Sequence, residues 1–577
     1  MNYKWKYQSL TPQNQEAADK LSAEIGINPI VGSILFKRGI KTPRQAKKFF
    51  SPRLTDLHDP FEMKNMDKAV KRINQAIGMK EKILVYGDYD VDGCTAVTLV
   101  YKFLQEFYSN VEYYIPDRYE DGYGISFKAI DRAVSLGVRV IIILDCGIKA
   151  NQEIAYAQAH GIDFIVCDHH VPDDELPPAY AILDPKRKDE TYPYHDLSGC
   201  GIGFKLMQAF ALNNGIEFSR LTPLLELCAV SIAADLVPVL GENRILAFHG
   251  LRQLNSNPSV GLQAIINVCG LTDKEIGMPD IIFRIGPRIN ASGRIQNGSE
   301  TIDLLIEKDL TRAIEKANRI NTYNEARKDI DRQMTEEANA IVDKIKNLDN
   351  RRSIVVYNKE WHKGVIGIVA SRLTELYYRP TVVLALDENG NLTGSARSVA
   401  GFDIYSGIEN CKDLLENFGG HTYAVGLTLK EEHIKEFIQR FEDYVEKHIE
   451  DEQTAASLDV EAELNFSTIT TPFFNELKKL RPFGPQNPEP LFSTRNVYDY
   501  GTSKVVGRGQ EHIKLELVDN KSNNILSGIA FGQSGHARFI KSKRAFNICY
   551  TIAENTYKHG EIQLQIEDIQ PANTEQK

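Results

Sequence analysis

The sequence predicts an α/β protein in which a parallel-sheet domain is followed by a long helix, a second α/β domain and a small β-barrel. Three observations point there. Residues 80 to 240 alternate short β-branched runs with helical stretches, the pattern of a parallel sheet wrapped by helices. Ile330, Met334, Ala338, Ile341 and Ile345 recur at steps of three and four, one apolar stripe on a charge-rich helix. After Pro482-Phe483-Gly484-Pro485 the chain turns to short strands without clear helices, the mark of a small barrel.

A chain of 577 residues is too long for one core. Its elements divide into a helical segment over 1–75, expected to pack on the first α/β domain at 76–300. A connecting helix follows within 301–350, then the second α/β domain at 351–450 and the barrel at 451–577, with Glu450-Asp451-Glu452 opening a solvated linker. In the first domain Ile83–Tyr86, Val140–Leu144 and Phe164–Cys167 are apolar enough for buried strands. Between them, 126–136 and 149–160 have room for crossover helices. In the second, strands are expected near Ser353–Tyr357 and Thr381–Leu386.

Composition narrows the function classes. With 42% hydrophobic and 25% charged residues the chain reads as an ordinary globular protein. A net charge of -10 argues against nonspecific coating of DNA, yet leaves room for a local basic lining around a few phosphates. Eight scattered cysteines show no C-x-x-C pair, so neither a zinc ribbon nor a disulfide framework is expected. No apolar run is long enough for a bilayer, and the first residues carry no signal core, which leads to the expectation of a cytoplasmic protein without membrane contact.

The chemistry gathers at strand ends. The first strand runs into Asp88-Tyr89-Asp90-Val91-Asp92-Gly93, the second into Asp145-Cys146-Gly147 and the third into Asp168-His169-His170. Ligands of an open parallel sheet bind beyond the carboxyl ends of its strands, so the three clusters converge on one edge. Asp235, after the apolar run Ser231–Ala234, is a fourth contribution. Any one of these alone is more often a turn, a surface pair or a satisfied core group; three consecutive strand ends together are not. So many carboxylates repel one another unless divalent cations are present. Carboxylates mixed with imidazoles suit manganese or magnesium better than zinc. Six or seven ligands exceed the needs of one ion and match two, about 3.5–4 Å apart across a bridging carboxylate, a pair able to act at a phosphoryl centre.

These motifs resemble the DHH phosphoesterase family, named for the triplet that stands here as Asp168-His169-His170. The likeness runs along nearly the whole chain: Pro116–Gly124, Leu197–Phe204, Gly286–Arg294, Trp361–Ser371, Gly394–Ser398, Gly419–His421 and Pro482–Pro490. It implies a DHH domain, a DHH-associated domain joined to it by the long helix, and an OB-fold. It also implies the family's exonuclease branch, acting on single-stranded DNA from a 5′ end with release of nucleoside monophosphates in repair and recombination. Asp90, Asp92, Asp145, His169 and Asp235 would be ligands of two manganese or magnesium ions. Asp88 would be a further ligand or a hydrogen-bonding support, and Asp145 and His170 would serve catalysis. Cys146 and Gln486 depart from many relatives without removing a ligand; Cys146 reads as a packing thiol rather than a soft ligand or nucleophile.

The same resemblance assigns Arg118, Ser395 and Arg397 to the 5′ phosphate, the last two in a short loop opened by Gly394. Arg offers phosphate a planar fork and Ser a neutral donor. Arg294, His362 and His421 are expected at neighbouring phosphates or in bonds across the domain seam. Tyr123 is a candidate stacking platform, weighed against an ordinary core or exposed tyrosine. The run Arg538–Arg544 would give the barrel a basic edge, or be only a solvated charge run. A helicase and a single-stranded-DNA-binding protein are the expected partners. The competing readings are a phosphodiesterase for short oligonucleotides or pyrophosphate, whose relatives lack the barrel, and a non-catalytic DNA-binding scaffold. Every expected acidic and His position is filled, which favours activity.

Overall fold

A computed structural model describes residues 3–117, 124–295, 298–345, 347–387, 390–522, 524–555 and 560–572. The chain forms two compact units, Leu54–Thr454 on the one hand and Met1–Arg53 with Ala455–Lys577 on the other.

The larger unit opens on a five-stranded parallel sheet. Its spatial order is Val111–Tyr114, Lys82–Gly87, Val138–Leu144, Asp163–Cys167 and Ala181–Leu183. The helices Phe127–Ser135 and Asn151–Ala159 are its crossovers where the sequence left room for them. The central strand, VRVIIIL, is buried throughout except at Arg139, because both faces are covered. Val140, Ile142 and Leu144 enter one core and Ile141 and Ile143 the opposite one. A strand buried on both faces needs a continuous apolar run rather than alternation. Each such side chain contributes about 1.5–3 kcal/mol when buried.

Helix Leu310–Val342 stitches two cores together. Ala313, Ala317 and Ile320 pack into the core of the first domain; Met334, Ala338 and Val342 pack into that of the second. The second domain is a five-stranded sheet in the order Leu415–His421, Ala424–Lys430, Asn391–Arg397, Thr381–Leu386, Ile354–Tyr357. All its pairings are antiparallel except the last. The segment expected to be a short loop is therefore a strand: Ser395 and Arg397 belong to Asn391–Arg397. Alternation explains it, since Leu392, Gly394 and Ala396 are buried while Thr393, Ser395 and Arg397 are half-buried on the other face. Gly394 opens no loop; a Cβ there would meet Leu384 Cδ2 at 2.5 Å.

The first 75 residues do not act as one segment. Residues 1–53 join the smaller unit, where Lys4–Tyr7 pairs in parallel with Ser457–Val460. Helix Met66–Met79, by contrast, buries Met66, Val70 and Ile73 in the core under the parallel sheet. Lys4–Tyr7 is short and mostly exposed, with no apolar alternation to announce a strand. In the smaller unit the strands Phe492–Asp499, Phe546–Glu554, Ile562–Pro571, Ile525–Ala530 and His512–Asp519 close a five-stranded barrel, the last pairing back to the first. Among the described residues no helix is long and apolar enough to cross a membrane.

Candidate metal centre and phosphate cavity

Register places the acids. Leu144 pairs with Gly87 and Cys167, and Cys167 with Leu183, so Asp88, Asp145, Asp168 and Asp184 all leave the sheet at one edge. Asp145 turns out of its strand in left-handed backbone, φ 61°, with its amide donating to the Cys167 carbonyl at 2.9 Å. Asp90 caps helix Val91–Gln105 by accepting the Gly93 N–H at 3.0 Å. Only glycine fits at 93, where a Cβ would lie 2.3 Å from the Asp88 carbonyl oxygen. Asp92, in the first turn of that helix, is buried; it accepts the amides of Gly199 and Cys200 at 2.7 Å each and the Ser231 hydroxyl at 2.7 Å. Thus the start of helix Gly199–Asn213, with its positive dipole end, faces an acid of the cluster. Asp235 terminates helix Leu225–Ala234.

These placements bring together Asp88, Asp90 and Asp145 in one group and Asp92, His169 and Asp235 in another, each with ligand atoms within 4.8 Å. Asp145 also groups with His169 and His170. His169 Nε2 lies 3.0 Å from Asp145 Oδ1, 3.7 Å from Asp235 Oδ2 and 3.8 Å from Asp92 Oδ2. Burial and the neighbouring acids push Asp145 and Asp90 above the usual carboxylate range, and Asp235 up to about 8. Burial lowers His169 to about 4, leaving a neutral ring whose lone pair is free to bind a cation. Crowded carboxylates beside a neutral imidazole, with no thiolate, form an oxygen-rich set that fits two hard divalent cations. A carboxylate has about four lone-pair sites, so Asp92, with three used on hydrogen bonds, retains one for a ligand role.

Asp168 works differently. Its Oδ1 accepts the amides of His169 and His170 at 2.7 and 3.1 Å and lies 2.8 Å from His170 Nδ1; its Oδ2 accepts the Ile148 amide at 2.9 Å. Burial alone would lower the basicity of His170, but the bond and charge of Asp168 raise it to about 9. In the metal-free protein Asp168 thus favours the protonated ring of His170 and holds it in one orientation.

A cavity of about 830 Å³ opens beside it. Cys146, Lys149, Asp168, His170 and Arg294 of the first domain line it, together with Lys363, Ser395, Arg397 and His421 of the second. His421 stacks near His170, with ring centroids 6.4 Å apart. Arg397 Nη1 donates to Ser395 Oγ at 2.7 Å, so the two act as one polar unit. Helix Ile366–Tyr377 brings its amino-terminal end, Ile366 and Gly367, to the same lining; N-terminal amides without intrahelical acceptors favour anions. A Cβ on Gly367 would come within 3.0 Å of Arg397 Nη2. Arg294 reaches across to the Gly364 carbonyl at 3.0 Å, tying the two domains at the cavity. His362 is not among the lining residues; its Nδ1 accepts the Gly364 amide at 3.1 Å. Arg118 and Tyr123 lie outside the described residues.

Family models agree with this layout: the DHH family N-terminal domain matches residues 82–232, the DHHA1 domain 338–447 and the RecJ OB domain 460–568. The single-stranded-DNA-specific exonuclease RecJ of Salmonella typhimurium is 30% identical over 97% of this chain and 99% of its own length. The chain belongs to the RecJ family. The Bacillus subtilis RecJ is 37% identical over 88% of this chain, which spans 64% of that longer relative. A crystal structure of RecJ with Mn²⁺ from Thermus thermophilus superposes with a TM-score of 0.83 at 25% identity, over 98% of this chain and 79% of that one. The match spans both units of this RecJ-family chain.

Sequence reasoning overlooked three contributors in this RecJ-family protein: Asp168 as the group that orients His170, Gly199 and Ser231 behind Asp92, and the helix start at Ile366–Gly367. The motifs Leu197–Phe204 and Trp361–Ser371 contained the signal, since Gly-rich segments before helical runs mark close backbone approach. Cys146 is buried with its Sγ 3.4 Å from the Leu144 carbonyl oxygen, and burial with nearby acids holds its pKa well above the ordinary thiol value. It packs as a neutral thiol. All eight cysteines are free and buried.

Proposed function

We propose that this chain is a metal-dependent exonuclease that hydrolyses single-stranded DNA from the 5′ end to nucleoside monophosphates, serving repair and recombination in the cytoplasm. The observation that carries the reading is two ligand groups linked by the 3.0 Å approach of His169 Nε2 to Asp145 Oδ1, with the neighbouring His170 lining a cavity shared with Arg294, Ser395 and Arg397. Asp88, Asp90 and Asp145 would hold one manganese or magnesium ion, and Asp92, His169 and Asp235 the other, with Asp145 bridging. Two such ions supply a water nucleophile near neutral pH and charge neutralisation at the phosphoryl centre.

The protein groups then divide the remaining work. His170, its Nδ1 engaged by Asp168, presents the Nε2 proton and positive charge to a non-bridging oxygen of the scissile phosphate, where negative charge builds. Ser395 and Arg397 hold the terminal 5′ phosphate, fixing which bond reaches the metals and therefore the direction. Arg294 keeps the seam between the domains closed around the strand. A helicase and a single-stranded-DNA-binding protein would deliver the strand.

The test is digestion of 5′- and 3′-labelled single strands with Mn²⁺, Mg²⁺ or chelator. Metal-dependent release of labelled mononucleotide from the 5′ label first supports the reading. Attack from the 3′ label, or turnover of pyrophosphate and dinucleotides but not long strands, overturns it.

A further inference from the structure

The floor of the cavity carries three polar side chains for which the reading above has no use. Pairing across the antiparallel sheet aligns its exposed face in rows. His421, Ala424 and Arg397 form one row, Gly419, Gly426 and Ser395 the next, and Asn417, Thr428 and Thr393 the third. The opposite face, with Leu392, Ala396, Val425, Leu427 and Leu429, is locked into the domain core. All three members of the third row line the cavity. None of the three side chains has a hydrogen-bond partner among the described residues. Elsewhere in the domain Ser371, Thr374, Thr381 and Ser398 each bond a carbonyl. Asn417 is exposed and Thr393 and Thr428 are half-buried, so this row of hydroxyl and amide groups is open to bond something that enters the cavity.

Position says what enters. This step rests on the exonuclease reading. The phosphate track crosses the strands, from His421 beside His170 to the Ser395–Arg397 pair two strands away, roughly 10 Å at about 4.8 Å per strand. That span suits one nucleotide held between the metal centre and the phosphate clamp. The third row lies to the side of this track, two residues further along each strand and so about 6.8 Å beyond the Gly419–Gly426–Ser395 row. What stands off to one side of a nucleotide's phosphates is its base. The Gly419–Gly426 pair between track and row offers no side chain to block it. The geometry points to Asn417, Thr428 and Thr393 as a subsite for the edge of the 5′-terminal nucleobase. A hydroxyl both donates and accepts, and so does an amide, so each of the four bases finds partners without being selected. An aromatic platform would hold the base by its face; this row holds it by its edge and fixes the sugar's approach to the metals.

The experiment uses the full chain with Mn²⁺ and two 5′-phosphorylated strands, one normal and one whose first nucleotide is abasic. The variant carries Asn417→Leu, Thr428→Val and Thr393→Val; Thr428→Val alone, nearly isosteric and in a strand, serves if the triple variant fails to fold. The subsite predicts about tenfold loss in kcat/KM for each hydrogen bond removed on the normal strand. On the abasic strand the variant and the unmodified protein should then be equal. Equal losses on both strands, or no loss on the normal one, overturn the subsite while leaving the exonuclease reading intact. Failure of the unmodified protein to cleave either strand overturns both.

Discussion

Asp168 Oδ1 lies 2.8 Å from His170 Nδ1, and the same oxygen accepts the amides of both histidines that follow it. One buried carboxylate therefore sets the turn, the orientation and the charge of His170, while His169 Nε2 lies among the acids of the cluster. Asp168→Asn keeps the shape but removes the charge that sustains the imidazolium. Supports of this kind are worth 10–100-fold. We expect single-turnover cleavage to fall by roughly that factor while Mn²⁺ binding, followed by calorimetry, changes little. An equal fall in metal affinity would assign Asp168 to the metal centre instead.

Asp145→Asn separates the costs of the cluster from its use. Burial and the charges of Asp92, Asp90 and Asp235 raise the Asp145 pKa above its unfolded value. A carboxyl raised in this way binds more protons when folded, so its contribution destabilises the metal-free protein at every pH above the unfolded pKa. Asn is neutral and tolerates the left-handed backbone at φ 61°. The metal-free variant should melt no lower than the parent. Stabilisation by Mn²⁺, about 2.7 kcal/mol at a hundredfold excess over Kd, should shrink sharply, and cleavage should vanish. Retained cleavage would remove Asp145 from the bridging position.

The strand ends were legible because a parallel sheet buried on both faces demands uninterrupted apolar runs, and Val138–Leu144 or Asp163–Cys167 can be little else. The long helix was legible from its stripe, although Ile345 falls past the last turn at Val342. Strand Asn391–Arg397 was not, since Gly394 and Ser395 mimic turn chemistry while their alternation is set by tertiary packing on Leu384. Nor was the attachment of residues 1–53, which depends on pairing with Ser457–Val460 some 450 positions away. At the site the ligand types could be read directly, but Asp168 sits in the same triplet as His169 and His170, and only geometry shows that it faces away from the metals and towards backbone amides.

Arg397 should govern the choice of end. Its guanidinium joins Ser395 at the cavity wall. A hydrogen bond to a charged group is worth about 1.5–3 kcal/mol, so Arg397→Ala should cut the preference for 5′-phosphate over 5′-hydroxyl strands roughly tenfold to a hundredfold. Competition between the two strands in one reaction reads this directly, and an unchanged ratio would refute the clamp.

The barrel contributes through charge. Arg538, Lys541, Lys543 and Arg544 are all exposed around the short helix Ala537–Ile540. If they meet backbone phosphates of the strand, changing all four to Gln lowers the slope of log affinity against log salt by about 0.7 for each phosphate no longer neutralised. Binding titrations at several salt concentrations check it; a slope equal to the parent's would leave these residues as a solvated surface run.

Gly199 ties the helix that cradles Asp92 to the carboxylate of Asp145. An alanine Cβ at 199 would stand 2.7 Å from Asp145 Cβ and 2.9 Å from its Oδ1. Neither side can retreat freely, for the Gly199 amide is bonded to Asp92 Oδ2 at 2.7 Å and Asp145 is pinned by its own amide. Overpacking of this kind costs about 1–3 kcal/mol, and alanine's better helix propensity returns under about 1 kcal/mol of it. The fold should survive, but Asp145 and Asp92 can no longer keep their separation. Gly199→Ala is expected to lower Mn²⁺ affinity by roughly 10–100-fold, with cleavage partly restored by raising the metal concentration. Rescue by metal distinguishes a displaced ligand from a damaged DNA site, which excess Mn²⁺ would not repair.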